Sequence, residues 1–358
     1  QRVEILKALI RKARILIMDE PTAVLTPQET DRLFDFIREF RAGGNSVIFI
    51  THKLNEVMSI ADRITVLRAG RTVGSIPKLE ASETTLARMM VGRDLELTTG
   101  HPAKNVGDVV LDVDNISVVS SRGNRVIDGL SFQIRQGEIL GIAGVSGNGQ
   151  EELAEVLCGL KKAEEGDIRI SGKSIVNCDP LTIIAEGVGY IPSDRQKEGL
   201  VLDMTVAENL VLKGSSDAEF TRGCFLDMTT IEENADRQVH EFSIKTPSVS
   251  TKAKALSGGN QQKVVVAREI AIASKLLVAV QPTRGLDLGA TDYVHRVLLR
   301  ERDKGKAVLL ISTELSEIMN LSDRIGVIYR GSLLKVFTRE NADIGEIGLL
   351  MTGVRGES

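Results

Sequence analysis

Short apolar runs alternate with longer amphipathic stretches along most of this chain. The apolar runs have the length of buried strands: 15–18, 47–50, 64–67 and 276–280; 138–143, which is apolar after its first residue, is a further predicted strand. The stretches with helical spacing are 2–11, 28–41, 151–158 and 258–271. Because continuous apolar strands that alternate with helices are typical of parallel sheets covered on both faces, the pattern predicts an α/β fold.

One block of sequence occurs twice in the chain. Aligning Pro21 with Pro282 gives an offset of 261 residues, which holds without a gap from Gln1 to Gly92. The offset predicts two tandem copies of one domain, the first of them incomplete. Gln1 matches the middle of the second copy, so we expect an N-terminally truncated chain, with about 150 residues upstream if the copies were once of equal length.

The repeat and the composition together predict the domain layout. We expect the C-terminal part of a first domain in 1–93, a short polar linker in 94–108 and a complete second domain in 109–355. The second domain opens with β-rich sequence, which predicts an antiparallel portion at its N-terminus. Residues from about 201 to 262 are expected to form a helical subdomain within the α/β domain.

Composition excludes several classes of protein. With 42% hydrophobic and 26% charged residues, the chain has the make-up of a globular protein. No stretch approaches the roughly 18 apolar residues of a membrane span. A net charge of −4 without a cluster of Lys and Arg gives no footprint for nucleic acid. The three cysteines have neither metal-ligand nor disulfide spacing.

A glycine-rich loop between a predicted strand and a predicted helix is the first candidate site. Its G-x-x-x-x-G spacing matches a phosphate-binding P-loop, but Gln150 and Glu151 stand where Lys and Ser or Thr are expected. Backbone amides and the helix N-terminus could still hold phosphate, and a tight turn without a ligand is the alternative. The candidate residues are Gly144, Gly147, Asn148, Gly149, Gln150 and Glu151.

The segment Leu-Ser-Gly-Gly-Asn-Gln-Gln at 256–262 opens the predicted helix that continues to about residue 271. Ser257 suits the N-cap position, and Gly258 and Gly259 leave backbone amides open to a second anion. Gln261 is the fourth candidate of this segment. A plain helix cap would need the serine but not the rest of the motif.

Two acids end an apolar strand in the first copy. Asp19 can hold Mg²⁺, and Glu20 can polarise an attacking water. His52 ends the next strand along the chain and would contact a terminal phosphate. The alternatives are that His52 has only a structural role and that the two acids are only solvated. In the second copy the matching positions are Val280, Gln281 and Thr313.

These motifs together resemble the ATP-binding cassette family. The segment 256–262 is similar to its signature motif, and Asp19, Glu20 and His52 match its Walker B and switch-histidine motifs. The tandem layout resembles the two-cassette ATPase subunits of bacterial sugar and nucleoside importers. The resemblance implies the P-loop NTPase fold of an ABC cassette, with ATP and Mg²⁺ as cofactors.

The resemblance also implies how the ATP sites are built, because family cassettes close head to tail around each ATP. One expected site, which hydrolyses ATP, combines a P-loop outside this sequence with three residues of the first copy and three of the second: Asp19, Glu20, His52, Ser257, Gly258 and Gly259. The other, which is degenerate, combines 144–151 with Val280, Gln281 and Thr313. The chain alone, without the lysine-bearing loop, is expected to lack ATPase activity.

Two positions depart from the family pattern. The segment 189–195 lies where the Q-loop glutamine is expected, and it contains Pro192 and Ser193 instead. No aromatic residue precedes the P-loop to stack on adenine, although Arg122 or Arg125 could substitute.

The resemblance further implies partners and a location. It implies two integral-membrane permease subunits docked near 190–215, an extracytoplasmic substrate-binding protein reached through the permease, and self-association through cassette dimerisation. A peripheral position on the cytoplasmic face of the inner membrane follows. The alternative is a non-transport tandem cassette protein that acts on the ribosome or DNA, against which the short linker 94–108 argues. A purely structural pseudo-ATPase is a third reading, and Asp19, Glu20 and His52 argue against it.

Overall fold

The computed structural model describes residues 13–22, 25, 27–51, 53–68, 70–91, 100–103, 105–120, 123–215, 218–223 and 225–353. The chain divides into two compact units. We call the described residues up to 91 the N-terminal unit, and most of those from 100 onward the C-terminal unit. The predicted helix 2–11 and the residues Arg122 and His52 lie outside the described residues.

The N-terminal unit contains two small sheets and three helices. Strands β1 and β2 pair in parallel, and β3 and β4 pair antiparallel. The elements are β1 (Ile15–Asp19), α1 (Pro27–Ala42), β2 (Ser46–Ile50), α2 (Leu54–Ile60), β3 (Arg63–Arg68), β4 (Arg71–Pro77), a 3₁₀ turn (Lys78–Glu80) and α3 (Glu83–Val91). The predicted strands 15–18, 47–50 and 64–67 and the predicted helix 28–41 are confirmed within two residues.

One face of the β1–β2 pair is exposed, which corrects the expected coverage on both faces. Leu16 and Met18 point into a small core with residues of α1. Ile15 and Ile17, on the other face of β1, are 61% and 69% exposed. An apolar run predicts a strand, but a strand's two faces are covered only by elements that pack on them, which the run does not reveal.

The C-terminal unit is built on a six-stranded sheet in the order β10-β13-β14-β7-β15-β16. All neighbours pair in parallel except β15 and β16. The strands are β7 (Ile139–Ala143), β10 (Val188–Ile191), β13 (Leu276–Val280), β14 (Ala307–Ser312), β15 (Arg324–Tyr329) and β16 (Ser332–Thr338). Every residue of β7, β13 and β14 is buried, so here the expected coverage on both faces is confirmed.

An antiparallel sheet packs against this central sheet, as predicted for the start of the second domain. Its order is β6-β5-β8-β9, and its apolar side chains share one core with residues of β7, β13 and β14. Its strands are β5 (Val109–Val119), β6 (Arg125–Arg135), β8 (Glu165–Ile170) and β9 (Lys173–Ser174).

Helices of this unit cover the central sheet or form the helical subdomain. Those on the sheet are α4 (Gln150–Leu157), α5 (Pro180–Ala185), α9 (Leu288–Asp303), α10 (Leu315–Leu321) and α11 (Ile344–Met351). Those of the subdomain are α6 (Val206–Val211), α7 (Met228–Glu241) and α8 (Gly258–Ile272), with a π-helical turn at Arg195–Gly199 before them.

The predicted helical subdomain is confirmed, and its helix starts follow from local capping. Thr205 and Glu208 form a reciprocal capping box at α6, and Asp227 caps α7. A hairpin of β11 (Thr221–Arg222) and β12 (Phe225–Leu226) was not predicted, because its strands are too short to show a period. Within the described ranges, no helix is both long and apolar enough to cross a bilayer.

Candidate functional site

Three strand ends meet at one edge of the central sheet. Strands β13, β14 and β7 are parallel neighbours, and their ends pair within one residue of each other, Val280 with Ile311 and Ser312 with Ala143. The segments that follow these strands therefore lie side by side, at the edge where open α/β sheets bind ligands. They carry the glycine-rich loop, Gln281 and Thr313.

The glycine-rich loop joins β7 to α4, as the motif predicts. Gly147 and Gly149 have φ angles of +89° and +102°, in the left-handed region that favours glycine. A Cβ on Gly149 would also meet the carbonyl oxygen of Val126 at 2.7 Å, so only glycine fits there. Glu151 is exposed in the first turn of α4, and the Gln150 side chain folds back into the loop.

Gln281 and Thr313 occupy the positions that Glu20 and His52 have in the first copy, and their side chains are hydrogen-bonded to each other. Gln281 follows β13 with a φ of +45°, and its side-chain carbonyl accepts a hydrogen bond from the Thr313 hydroxyl at 3.3 Å. Val280 is fully buried and aliphatic. This sheet edge therefore offers neither a carboxylate for Mg²⁺ nor a general base at the positions where the first copy has Asp19 and Glu20.

A buried His–Glu pair lies behind this edge and was missed from the sequence. His295 Nε2 lies 2.9 Å from a carboxylate oxygen of Glu317, and Thr283 donates to the same oxygen at 2.8 Å. Burial opposes ionisation of Glu317, but hydrogen bonds from His295, Ser312 and Thr283 outweigh it and lower its pKa. A comparison of the two copies could have pointed to His295, because the matching position in the first copy, 261 residues earlier, is Phe34.

The signature segment begins α8, but the side chain of Gln261 is not placed as the sequence predicts. Ser257 occupies the N-cap position, but its hydroxyl caps no amide and instead accepts from the Asn260 side chain. Gly258 and Gly259 form the first turn. Gln261 is buried, its Nε2 donating to the Ala253 carbonyl, so its side chain is a packing element and does not present its amide to a ligand.

The segment at the expected Q-loop position packs on the signature. The Gln196 amide donates to Gln261 at 3.0 Å, and the Arg195 guanidinium donates to the Arg284 carbonyl at 2.8 Å. A Cβ on Gly258 would meet Arg195 at 2.7 Å, so this guanidinium covers the first residue of α8. Burial lowers the Arg195 pKa. A glutamine therefore follows directly after the segment 189–195, although its side chain bonds within the protein.

Glu151, at the end of the glycine-rich loop, belongs to a group of neighbouring carboxylates. Burial and the neighbouring carboxylates of Glu151, Asp194 and Glu155 raise the pKa of Glu198. A site that binds polyphosphate normally concentrates positive charge. The charge here is therefore unfavourable for a nucleotide. Arg125, the candidate for stacking on adenine, forms ion pairs with Asp128 and Glu165.

In the N-terminal unit, the two predicted acids lie at the carboxyl end of β1. Asp19 is the last, exposed residue of the strand, and Glu20 follows with a φ of +42°. The Glu20 amide donates to the Ile50 carbonyl at 2.9 Å, which ties it to the end of β2. His52, just beyond β2, lies outside the described residues.

The two units have matching geometry at positions 261 residues apart. Glu20 and Gln281 share a left-handed backbone, and each amide donates to the end of the neighbouring strand. Thr22 bonds to Glu56 as Thr283 bonds to Glu317. These contacts are alike in the two units, whereas the side chains at the strand ends differ, Asp19 and Glu20 against Val280 and Gln281.

Comparison with known proteins places these motifs in one family. The model of the ABC transporter family matches residues 127–284. The chain is 45% identical over 353 residues to the nucleoside import ATP-binding protein NupA of Lactococcus lactis subsp. cremoris, covering 99% of this chain and 70% of that protein. It is 44% identical to the glucose import ATP-binding protein TsgD13 of Haloferax volcanii, covering 99% of this chain and 64% of that protein.

A solved structure has the same fold. A nucleotide-free ATP-binding cassette from an ABC transporter matches with a TM-score of 0.54 and 25% identity, covering 64% of this chain and 91% of that one. The chain thus spans 64% to 70% of the length of the two curated relatives above.

Proposed function

The chain belongs to the ABC transporter family, among its import ATP-binding proteins, and on that premise we propose that it is the subunit that binds and hydrolyses ATP to energise import of sugars or nucleosides. The observation that carries this proposal is the 45% identity over 99% of the chain to an import ATP-binding protein. The alternative, a tandem cassette that acts on the ribosome or DNA, has no such support.

We propose that hydrolysis uses the acids of the N-terminal unit. Asp19 and Glu20 are adjacent at the end of a parallel strand, where an acid can bind a metal and its neighbour can orient water. Mg²⁺ is usually held by one or two carboxylates, phosphate and water, so the adjacent carboxylates of Asp19 and Glu20 suit this ion. Mg²⁺ would neutralise phosphate charge, Glu20 would accept the proton of the attacking water, and His52 would contact the terminal phosphate.

We propose a different role for the C-terminal unit. Its signature residues Ser257, Gly258 and Gly259 begin α8, whose first-turn amides can hold phosphate oxygens beside the Arg195 guanidinium that lies over Gly258. Its own strand ends carry Val280 and the bonded pair Gln281 and Thr313, which supply no base. The two units therefore have different roles. The N-terminal unit supplies the catalytic acids. The C-terminal unit supplies the signature and a glycine-rich loop at which ATP is not hydrolysed.

The proposed partners follow from the same family. They are two integral-membrane permease subunits, docked near residues 190–215, and an extracytoplasmic substrate-binding protein reached through them. The subunit would then lie at the cytoplasmic face of the membrane without spanning it. The permease would set which sugar or nucleoside is carried.

The experiment is ATP-dependent import by this chain joined to the P-loop-bearing segment that the repeat predicts upstream of it, in complex with the permease, reconstituted in vesicles, with ribose and a nucleoside offered separately. Glu20→Gln should lower phosphate release by about 10²–10⁴-fold while ATP binding persists, because general-base catalysis contributes on that scale. Glu39→Gln, the same change at an exposed position of α1, is the matched control and should behave as wild type. Phosphate release by Glu20→Gln at the wild-type rate would contradict the proposal.

A further inference from the structure

The side chain of Gln150 occupies the glycine-rich loop from within. Gln150 is the first residue of α4 and is only 6% exposed. Its Oε1 accepts the Asn148 backbone N–H at 3.1 Å, and its Nε2 donates to the Val145 carbonyl at 3.1 Å. Both polar groups of the side chain are therefore satisfied by the backbone of the loop that precedes it.

This arrangement uses the groups that a phosphate would need. A turn from strand to helix holds an anion through backbone N–H groups that point into the loop. Here the Asn148 N–H is already bonded, and the amide of Gln150 lies where a Cβ on Gly144 would meet its Nε2 at 2.6 Å. The carboxamide oxygen thus takes the place of a phosphate oxygen as acceptor.

We propose that Gln150 is an internal ligand that closes the loop 144–150 against phosphate. The proposal builds on the proposed function, because it explains why the second of two cassettes would not use its own loop. The Gln150 side chain fills the loop directly. Poor ATP binding there would therefore have two causes, the absence of the lysine and the presence of this side chain. Removing the side chain should open the loop to a polyphosphate.

The loop keeps its shape without an anion because a second residue ties it to the sheet. The Asn148 side chain donates to the Val145 carbonyl at 3.0 Å and accepts the Arg330 N–H at 2.8 Å. The Gly331 N–H donates to the Asn148 carbonyl at 2.9 Å. These bonds join the loop to the β15–β16 turn, so shortening Gln150 should leave the loop in place.

Charge is the competing explanation for poor phosphate binding. Glu151 is exposed beside the loop, and its carboxylate lies close enough to Glu198 to contribute to the raised pKa of that group. If repulsion alone excludes phosphate, removing the Glu151 charge should restore binding. If Gln150 occupies the loop, removing the charge should restore little while Gln150 remains.

The experiment measures binding of inorganic triphosphate to the full 358-residue chain by titration calorimetry. The variants are Gln150→Ala, Glu151→Gln and the double variant, with Gln133→Ala as the control because that glutamine is exposed and bonds to Asp112. Loss of two hydrogen bonds that compete with the anion should tighten binding about tenfold in Gln150→Ala relative to wild type, and about tenfold in the double variant relative to Glu151→Gln. The control should bind as wild type does.

Hydrogen exchange of the peptide that contains Asn148 gives a second readout, which does not depend on any nucleotide. The Asn148 amide should be protected in wild type and exchange faster in Gln150→Ala. Free exchange in wild type, no gain in Gln150→Ala, or the whole gain in Glu151→Gln would each overturn the proposal. These outcomes leave the Glu20 experiment untouched, so failure of one proposal can be told from failure of the other.

Discussion

Replacing Glu269 tests whether one buried carboxylate holds the signature helix to the central sheet. Glu269 lies in α8 with its side chain fully buried, and it accepts three hydrogen bonds: from the Tyr190 backbone amide at 3.0 Å, from Lys213 at 2.8 Å and from Arg268 at 2.8 Å. Arg268 is also buried, and it donates further to the Gly199 carbonyl.

Glu269→Met leaves the Arg268 charge buried without a counter-ion, and the Tyr190 amide without its acceptor. Removing one partner of a buried ion pair costs about 3–5 kcal/mol, so we expect a loss of that size in the free energy of unfolding. Lys213 is partly exposed, so its ammonium can return to water. Lys213→Met should therefore cost about 1 kcal/mol or less.

The assay is urea unfolding followed by far-UV circular dichroism, with hydrogen exchange of peptides from α8 to assign the transition to this unit. Arg268→Met combined with Glu269→Met should recover part of the loss, because no unpaired charge then remains in the interior. A loss below about 1 kcal/mol in Glu269→Met, or an equal loss in Lys213→Met, would refute the reasoning.

Four further changes test other parts of the C-terminal unit. Val280→Asp and Gln281→Glu should each leave the degenerate site without turnover, since either change restores one group of several; phosphate release dependent on that site in either single variant would contradict this. His295→Phe should destabilise the protein at pH 7, and the deficit should shrink only as pH falls through the lowered Glu317 pKa, below the usual value of 4.5, because a protonated carboxyl no longer needs the histidine; urea midpoints that differ equally at pH 7 and at the lowest pH at which both proteins fold would count against it. Gly331→Ala should lower the thermal midpoint, because its φ is +81° and its Cβ would meet the Val126 carbonyl oxygen at 2.4 Å; an unchanged midpoint would argue against this packing.

The strands and main helices could be predicted because their signals are local. The apolar run 276–280 and the helical spacing of 258–271 each specify an element within a few residues, and both elements form. The positions of Asp19, Gly144 and Ser257 at strand and helix ends were predictable for the same reason.

The side-chain partners at the site could not be predicted. Some of these contacts join residues that are distant in sequence, and in others a side chain points into the protein where the sequence predicts that it faces a ligand. Gln261 turns inward to the Ala253 carbonyl, and Gln150 turns back on its own loop. The pairing of His295 with Glu317 joins two helices across 22 positions. Such contacts depend on packing, which periodicity does not contain.

The exposed face of β1 and β2 has a consequence for the behaviour of the chain in solution. Ile15, Ile17, Ile48 and Ile50 form a row of aliphatic side chains on neighbouring strands, about half or more of each accessible to water. Contiguous apolar surface of this kind binds hydrophobic dyes and promotes self-association. A concentrated sample of the chain should therefore be prone to aggregate through this unit, and Ile17→Lys or Ile48→Lys should make it more soluble without disturbing the core on the opposite face.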